Sequence, residues 1–220
     1  MTVTLPDAFE SFLANLLDPA NQDVHVDRLS RYMDGGAYTG AAFETLTMPD
    51  ADANHINVSD LAALWTLSVP LKWKQSAALL AEHRDALAAA LVELPDRPLA
   101  DLTSDEIKAM HKTAHPAMVL WTGIRKVKRM GPTRTSKLMA RKRPQLIPIY
   151  DSFVKEVLGL ESSKDQWRQF YLALTRKDRE VDRRLLELGR LSGHPELSAL
   201  RVFDILVWMK KRDGDLKDAQ

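Results

Sequence analysis

The sequence predicts an all-α protein of about ten helices. Apolar residues recur at helical spacing in most segments, and caps or prolines mark the expected helix starts. No β-type alternation of any length occurs apart from the short stretch QLIPIY at residues 145–150. With 220 residues, of which 45% are hydrophobic, the chain can form one globular domain (1–220), or two lobes over 1–100 and 101–220.

The first half of the chain predicts a series of amphipathic helices. The first ends at Asp18-Pro19, because the residue before proline is pushed out of helical geometry. Asn57 or Ser59 caps a later helix that runs to Pro70, and Asp60 suits the positive end of its dipole. That first helix covers residues 5–17, and further helices are expected over 24–33, 38–46 and 72–94, of which the last is the longest. A polar loop is expected over 48–55.

The second half carries equally clear start signals. Thr103 and Glu106 form a capping-box pattern, and Pro116 and Pro132 suit first helical positions. Ser163 with Gln166 opens a helix, another is expected over 178–191, and the last runs over 195–211. This last helix is apolar nearly all round, which predicts burial.

Composition excludes several kinds of chemistry. The chain has no cysteine, so disulfides, thiol nucleophiles and thiolate metal sites are excluded. His111 and His115 form the histidine pair at helical spacing, but they lack the glutamate of a zinc motif, and we expect no metal and no cofactor. No basic leader and no run of about 18 apolar residues occurs, so we expect a cytoplasmic protein without membrane contact.

Charge is segregated although the net charge is only +1. Residues 107–150 contain no Asp or Glu but eleven Lys or Arg residues, and the last three are Arg141, Lys142 and Arg143. Those three suit either a phosphate contact or a solvated helix end. A solvated helix face usually mixes both signs, so the run predicts a polyanion-binding face.

A glycine turn lies at the centre of this basic run. Met130-Gly131 is followed by Pro132 at the first position of a helix, an arrangement that presents backbone N–H groups and a positive dipole end to an anion. A phosphate of a nucleic-acid backbone is the expected ligand. The residues expected to hold it are Lys128, Arg129, Met130, Gly131, Thr133, Arg134 and Lys137.

The same residues resemble a known superfamily. Arg129-Met130-Gly131 followed by Pro132-Thr133-Arg134-Thr135-Ser136 resembles the second half of a helix-hairpin-helix, here within residues 116–154. In the helix-hairpin-helix DNA glycosylases, an essential aspartate follows the second glycine after a short extended segment, at the start of the next helix. Asp151 follows Gly131 by 20 residues, in LIPIYDSFV.

This resemblance implies two helical lobes flanking a cleft, and a base-excision hydrolase that flips a damaged or modified base out of double-stranded DNA. Asp151 would stabilise the positive charge on the sugar and activate water. Thr133 stands where bifunctional members have a lysine, and Arg129 stands at the first glycine, so the implied enzyme is a monofunctional DNA glycosylase acting as a monomer. The chain also resembles a bacterial family of uncharacterised proteins, through YTG-x-x-FE, DLAA-x-x-x-LSV and KL-x-ARKRP-x-LIPIYDS.

Tyrosine and tryptophan side chains supply candidates for a base pocket, because aromatic rings stack on a flipped base. Tyr38, Trp65 and Trp121 are these candidates, and Trp73 is a further one, although tryptophans at helical spacing are usually core residues. Thr39 and Gly40 are expected to line a pocket opposite the hairpin together with Tyr38.

Other interpretations stay open. Asp151 suits a purely structural helix cap, because Asp is among the best capping residues. Asp204, on an apolar helix face, suits an ion pair with Arg201 at i−3 better than a role as a second active-site acid. The alternative functions are a non-catalytic helix-hairpin-helix DNA-binding module, or an RNA-binding or protein-interaction role for the same basic face.

Overall fold

A computed structural model describes residues 3–49 and 51–218, and all regular secondary structure in those residues is helical. The all-α class is therefore confirmed, with somewhat more helices than the sequence predicts. The α-helices are α1 (Asp7–Leu17), α2 (Gln22–Met33), α3 (Ala42–Thr45), α4 (Val58–Thr66), α5 (Trp73–Ala77), α6 (Arg84–Val92), α7 (Ser104–Ala109), α8 (Pro116–Lys126), α9 (Pro132–Lys142), α10 (Ser152–Leu158), α11 (Gln166–Leu191) and α12 (Ala199–Asp218). Short 3-10 helices occupy Pro19–Asn21, Thr39–Ala41 and Leu99–Asp101.

Most helix starts that the sequence predicts from capping chemistry are confirmed, but Ser163 does not cap α11, whose N-cap is Asp165 without a side-chain hydrogen bond. Asn57 and Asp60 form a reciprocal capping box at α4, and Thr103 and Glu106 form another at α7. Pro116 and Pro132 are the first residues of α8 and α9. Local sequence therefore determines these boundaries.

The helix predicted over 72–94 is wrong as a single element. The chain forms α5, a π-helical segment at Ala78–Glu82 and then α6, with a break at His83. An alanine-rich sequence favours helix throughout but does not show where packing interrupts it. The segment predicted at 38–46 is likewise divided between a 3-10 helix and α3, and Asp50, within the predicted 48–55 loop, lies outside the described residues.

The longest helical segment is α11, and its backbone leaves helical geometry at residues 176–179. The sequence prediction of a separate helix over 178–191 agrees with this interruption. Lys177, Asp178 and Arg179 all have positive φ, between 42° and 63°. Such left-handed conformations are unfavourable for residues with a Cβ, and here they turn the chain between two helical halves.

The predicted burial of the last helix is confirmed. Helix α12 packs against α2, α10 and α11, and its apolar residues from Val202 to Val207 are completely enclosed. Phe203 contacts Phe9, Phe12 and Phe170 with ring centroids 5.0–5.7 Å apart. One hydrophobic core thus joins α1, α11 and α12, and α12 brings Arg201, Asp204 and Trp208 to its edge.

Candidate active site

The helices α8 and α9 contact each other and are joined by a five-residue turn, residues 127–131. Arg129 adopts φ +69°, the left-handed conformation that a glycine would take without strain. Arg129 occupies the first glycine position of the resemblance, and the backbone conformation is the one that a glycine favours. Gly131 has an ordinary φ of −75°, and a Cβ added there would meet no atom within 4 Å. The turn therefore has its left-handed residue at Arg129, and neither backbone conformation nor space requires a glycine at position 131.

Only part of the turn is available to an anion. The side chain of Met130 is buried, and its N–H donates to the carbonyl of Val127 at 3.0 Å. Within the described residues, the N–H groups of Gly131, Thr133 and Arg134 find no acceptor. These three N–H groups at the start of α9 are the ones that can donate hydrogen bonds to the oxygens of a phosphate.

The cations of the turn differ in their contacts. Lys128 and Arg129 are exposed, and no described carboxylate pairs with either. The guanidinium of Arg134 donates to the carbonyl of Arg129 at 3.0 Å and to that of Pro70 at 3.5 Å, so it braces the turn. Lys128 and Arg129 are therefore the cations most available to a polyanion.

Part of the basic run faces inward, which corrects both interpretations of the cluster at residues 141–143. Lys142 lies 2.8 Å from the carboxylate of Asp60, and Arg141 lies 3.3 Å from it. All three basic side chains also donate to backbone carbonyls of residues 43–55, and Arg143 donates to that of Leu91 as well. Buried carbonyls and a buried carboxylate require hydrogen-bond donors, and these three residues supply them. They thereby hold the segment before α4 against α9.

Ser136 places Asp151 beside α9. Its hydroxyl donates to the carbonyl of Tyr150 at 3.0 Å and accepts from the N–H of Tyr150 at 2.9 Å, so it binds both backbone groups of the residue before Asp151. Oδ1 of Asp151 then accepts the N–H groups of Phe153 and Val154, each at 3.0 Å. Asp151 is thus the N-cap of α10, as the sequence predicts, and its carboxylate is fixed in orientation.

Lys137 was expected at the phosphate but lies elsewhere. Its ammonium is 3.1 Å from Oδ2 of Asp151 and 3.3 Å from the carbonyl of Leu67, and the side chain is only 8% exposed. Because α9 rises about 1.5 Å per residue, the Cα of Lys137 lies about 9 Å further along the helix than that of Gly131. Lys137 contributes to the surroundings of Asp151 rather than to the outer face of the turn.

Asp151 and Lys137 line a pocket of about 180 Å³. The opposite wall holds Tyr38, Thr39 and Gly40, as the sequence predicts, and Trp208 completes it. The ring centroids of Tyr38 and Trp208 are 5.2 Å apart, with the planes nearly perpendicular. The pocket is smaller than the roughly 300–1,000 Å³ of drug-sized sites, so it has room for one small group only.

Gly40 is required for this wall by close approach. A Cβ at Gly40 would lie 1.9 Å from the hydroxyl oxygen of Tyr32. The carbonyl of Gly40 also accepts a hydrogen bond of 2.9 Å from Arg201. The wall therefore depends on a residue without a side chain.

The expected ion pair between Asp204 and Arg201 forms, with 2.5 Å between Oδ2 and the guanidinium. Arg201 also contacts Glu44 and the hydroxyl of Tyr32, so its buried charge is shared among several partners. Burial raises the pKa of Asp204 to about 6, and the nearby Asp151 contributes to the rise while Arg201 opposes it. Asp204 lines the same pocket as Asp151, so two carboxyl groups face one small space.

The tryptophans named from the sequence lie outside this pocket. Trp65 is 63% exposed on α4, and Trp73 is 75% exposed on α5. Trp121 packs against Trp167 beside a separate cavity of about 580 Å³ that also contacts His111. Of the three predicted base-pocket residues, the pocket therefore contains Tyr38 but neither Trp65 nor Trp121.

Sequence reasoning missed Trp208 and Tyr32 as pocket residues. Trp208 follows Asp204 by four residues, so both project from one face of α12. That spacing could have identified Trp208, once Asp204 was a candidate. Tyr32 reaches the pocket from α2, and no local sequence pattern predicts that contact.

Residues 3–49 and 51–218 contain no cluster of three His, Asp or Glu side chains able to hold a metal ion. Over the same ranges, no helix combines the length and the apolar character that crossing a membrane requires.

The sequence of residues 25–211 matches a family of unknown function, DUF6308. The chain belongs to the DUF6308 family. The matched region contains the turn, Asp151 and every pocket residue, so the candidate site lies within the part shared with the DUF6308 family. Searches of curated proteins and of solved structures each found no match.

Proposed function

We propose that this protein is a monofunctional DNA glycosylase, which binds double-stranded DNA through the turn and the start of α9, residues 128–134, and excises a flipped, modified base. One observation carries the proposal: the oriented carboxylate of Asp151 lies in a small aromatic-walled pocket, and α9 connects that pocket to the exposed cationic turn. The spacing of 20 residues between Gly131 and Asp151 agrees with the glycosylase resemblance. The proposal includes the two helical lobes flanking a cleft that the resemblance implies.

The pocket residues suit the separate needs of this reaction. Phosphates of the strand bind the amides of Gly131, Thr133 and Arg134 and the cations Lys128 and Arg129. The extruded base enters the pocket and contacts the rings of Tyr38 and Trp208.

Cleavage then consumes one water molecule. The bond between the base and C1′ of the sugar breaks, and its electron pair leaves with the base. Asp151 stabilises the cationic sugar and takes a proton from the attacking water, whose oxygen forms the new bond to C1′. That proton ends on the departing base, so the products are a free base and an abasic site.

A non-catalytic DNA-binding module is the second candidate, and the contacts of Asp151 favour it. Oδ1 accepts two backbone N–H groups, and Oδ2 faces Lys137, so every contact of the carboxylate has a structural explanation. In that case the turn binds DNA while Asp151 only caps α10. The two candidates differ in whether a base is released.

Release of free bases tests the catalytic part. DNA that has been methylated, deaminated or oxidised is incubated with the protein, and mass spectrometry of the small-molecule fraction identifies any free base. The proposal expects at least one base to be released by the wild type but not by Asp151→Asn. Binding without release of any base would favour the non-catalytic module.

The salt dependence of binding tests the DNA-binding part. Lys128→Ala removes an exposed cation, so the slope of log K against log salt is expected to fall by about one unit. Lys108→Ala is the matched control, because Lys108 lies in the same acid-free run but pairs with Asp105 at 2.9 Å. A binding constant that does not respond to salt would instead favour the protein-interaction role.

A further inference from the structure

A second groove lies beside the turn, outside the Asp151 pocket. It has a volume of about 430 Å³, and its lining includes Trp73, Lys74, Lys126 and Lys128. Gln75 donates from Nε2 to the carbonyl of Lys128 at 3.2 Å, which fastens α5 to the turn. The groove and the cationic turn therefore form one continuous surface.

Trp73 is the most exposed large apolar side chain in the described residues, at 75%. Large aromatic rings contribute most of their stabilisation when buried, so an exposed tryptophan marks a contact surface rather than core packing. Lys74 places its ammonium 5.3 Å from the centre of the Trp73 ring. A cation close to a ring suits a ligand that combines a flat base with a phosphate.

The charge of the groove is positive. Among the described residues, no ion pair engages Lys74, Lys126 or Lys128. Glu82 is the one acid in the lining, and the remaining titratable side chain there is His83. Three lysines around an exposed ring form the combination with which proteins bind single-stranded nucleic acid without reading its sequence.

We propose that this groove binds an unpaired base of a DNA strand, stacked on Trp73, while the neighbouring phosphates contact Lys126 and Lys128. The proposal shares the DNA ligand with the proposed function but does not require any chemistry at Asp151. It implies a preference for DNA that offers an unpaired base, such as a gap, a single-stranded end or a strand from which a base has been displaced. A fully paired duplex cannot fill the groove in this way.

Fluorescence anisotropy with labelled oligonucleotides tests this preference. The full chain is titrated with a single strand, a duplex with a one-nucleotide gap and a blunt duplex of equal length. Trp73→Ala is expected to weaken binding of the first two by about 5- to 150-fold, because stacking contributes on this scale per base. Binding to the blunt duplex should change less than twofold.

Two further variants separate stacking from other effects. Trp73→Phe retains a flat ring and is expected to keep most of the affinity, whereas Val92→Ala, which alters another exposed apolar side chain, should change nothing. Equal loss on all three DNA forms, or no loss on any, overturns the proposal. If the wild type bound the gapped and the blunt duplex equally well but still released a base, this inference alone would be overturned. If the wild type released no base but kept its preference for the gap, only the glycosylase would be overturned.

Discussion

Asp204 is the residue whose surroundings give the clearest pH signature. Its pKa of about 6 lies above the ordinary aspartate value, because burial disfavours the charged form, although Arg201 lies 2.5 Å away. The folded state therefore holds a proton that the unfolded state has already lost between about pH 4 and 6. The contribution of Asp204 to stability should fall as the pH rises through this window and level off above it.

Chemical unfolding of the wild type and Asp204→Asn from pH 4 to 7 measures this effect. Relative to Asp204→Asn, the wild type is expected to lose on the order of 1–3 kcal/mol across the window. Other groups give a slope that both proteins share, because burial also raises the pKa of Glu44 and lowers the pKa of His25 and His111. Parallel curves for the two proteins would contradict the assignment.

Among the elements, α9 connects the turn to the pocket, and Ser136 is its contact with the strand-like segment before α10. Ser136→Ala leaves both backbone groups of Tyr150 without a partner in a buried place. We expect the free energy of unfolding to fall by about 1–3 kcal/mol. Urea denaturation provides the measurement.

Thr135 provides the control for this element. Its hydroxyl is enclosed and has no hydrogen-bond partner among the described residues, so Thr135→Val removes an unsatisfied polar group at nearly constant volume. The substitution is expected to be neutral or slightly stabilising. If Ser136→Ala proved as harmless as Thr135→Val, Ser136 would not hold the segment that carries Asp151.

The elements also show what sequence can predict. The N-caps Asn57, Thr103 and Asp151 were predictable, because a capping side chain bonds to backbone within three residues of itself. The π-helical break before α6 was not, since it arises in a segment whose own propensity is helical throughout. Likewise, no local rule shows that Lys137 turns toward Asp151 rather than toward solvent.

In the whole molecule, the basic run serves two purposes. Its exposed members surround the turn, and its inward members fasten residues 43–60 to α9 through Asp60 and backbone carbonyls. Charge counting detected the run but could not separate these two groups, because the separation depends on which helix packs against α9. The structure brings α4 against α9, and Asp60 comes with it.

Lys142→Met tests the inward group. The side chain of Asp60 is 5% exposed, and the substitution leaves its carboxylate with the longer contact to Arg141 as its remaining cation, beside the N–H of Asn57. We expect a loss of about 3 kcal/mol in the free energy of unfolding. Lys112→Met, at an exposed position of the same run, should change it by less than about 0.5 kcal/mol. Equal effects would mean that Lys142 is not a structural cation.

We propose that the pocket around Asp151 hydrolyses a glycosidic bond in DNA. Counting alkali-labile abasic sites in duplexes that carry single modified bases, under saturating protein, tests this for the wild type and Asp151→Asn. We expect the wild type to produce such sites on at least one substrate, and the variant to bind the same DNA but produce at least a hundredfold fewer, since the loss of an acid–base group costs about 10²–10⁴ in rate. Equal numbers of abasic sites from both proteins, at equal occupancy of every substrate, would contradict it.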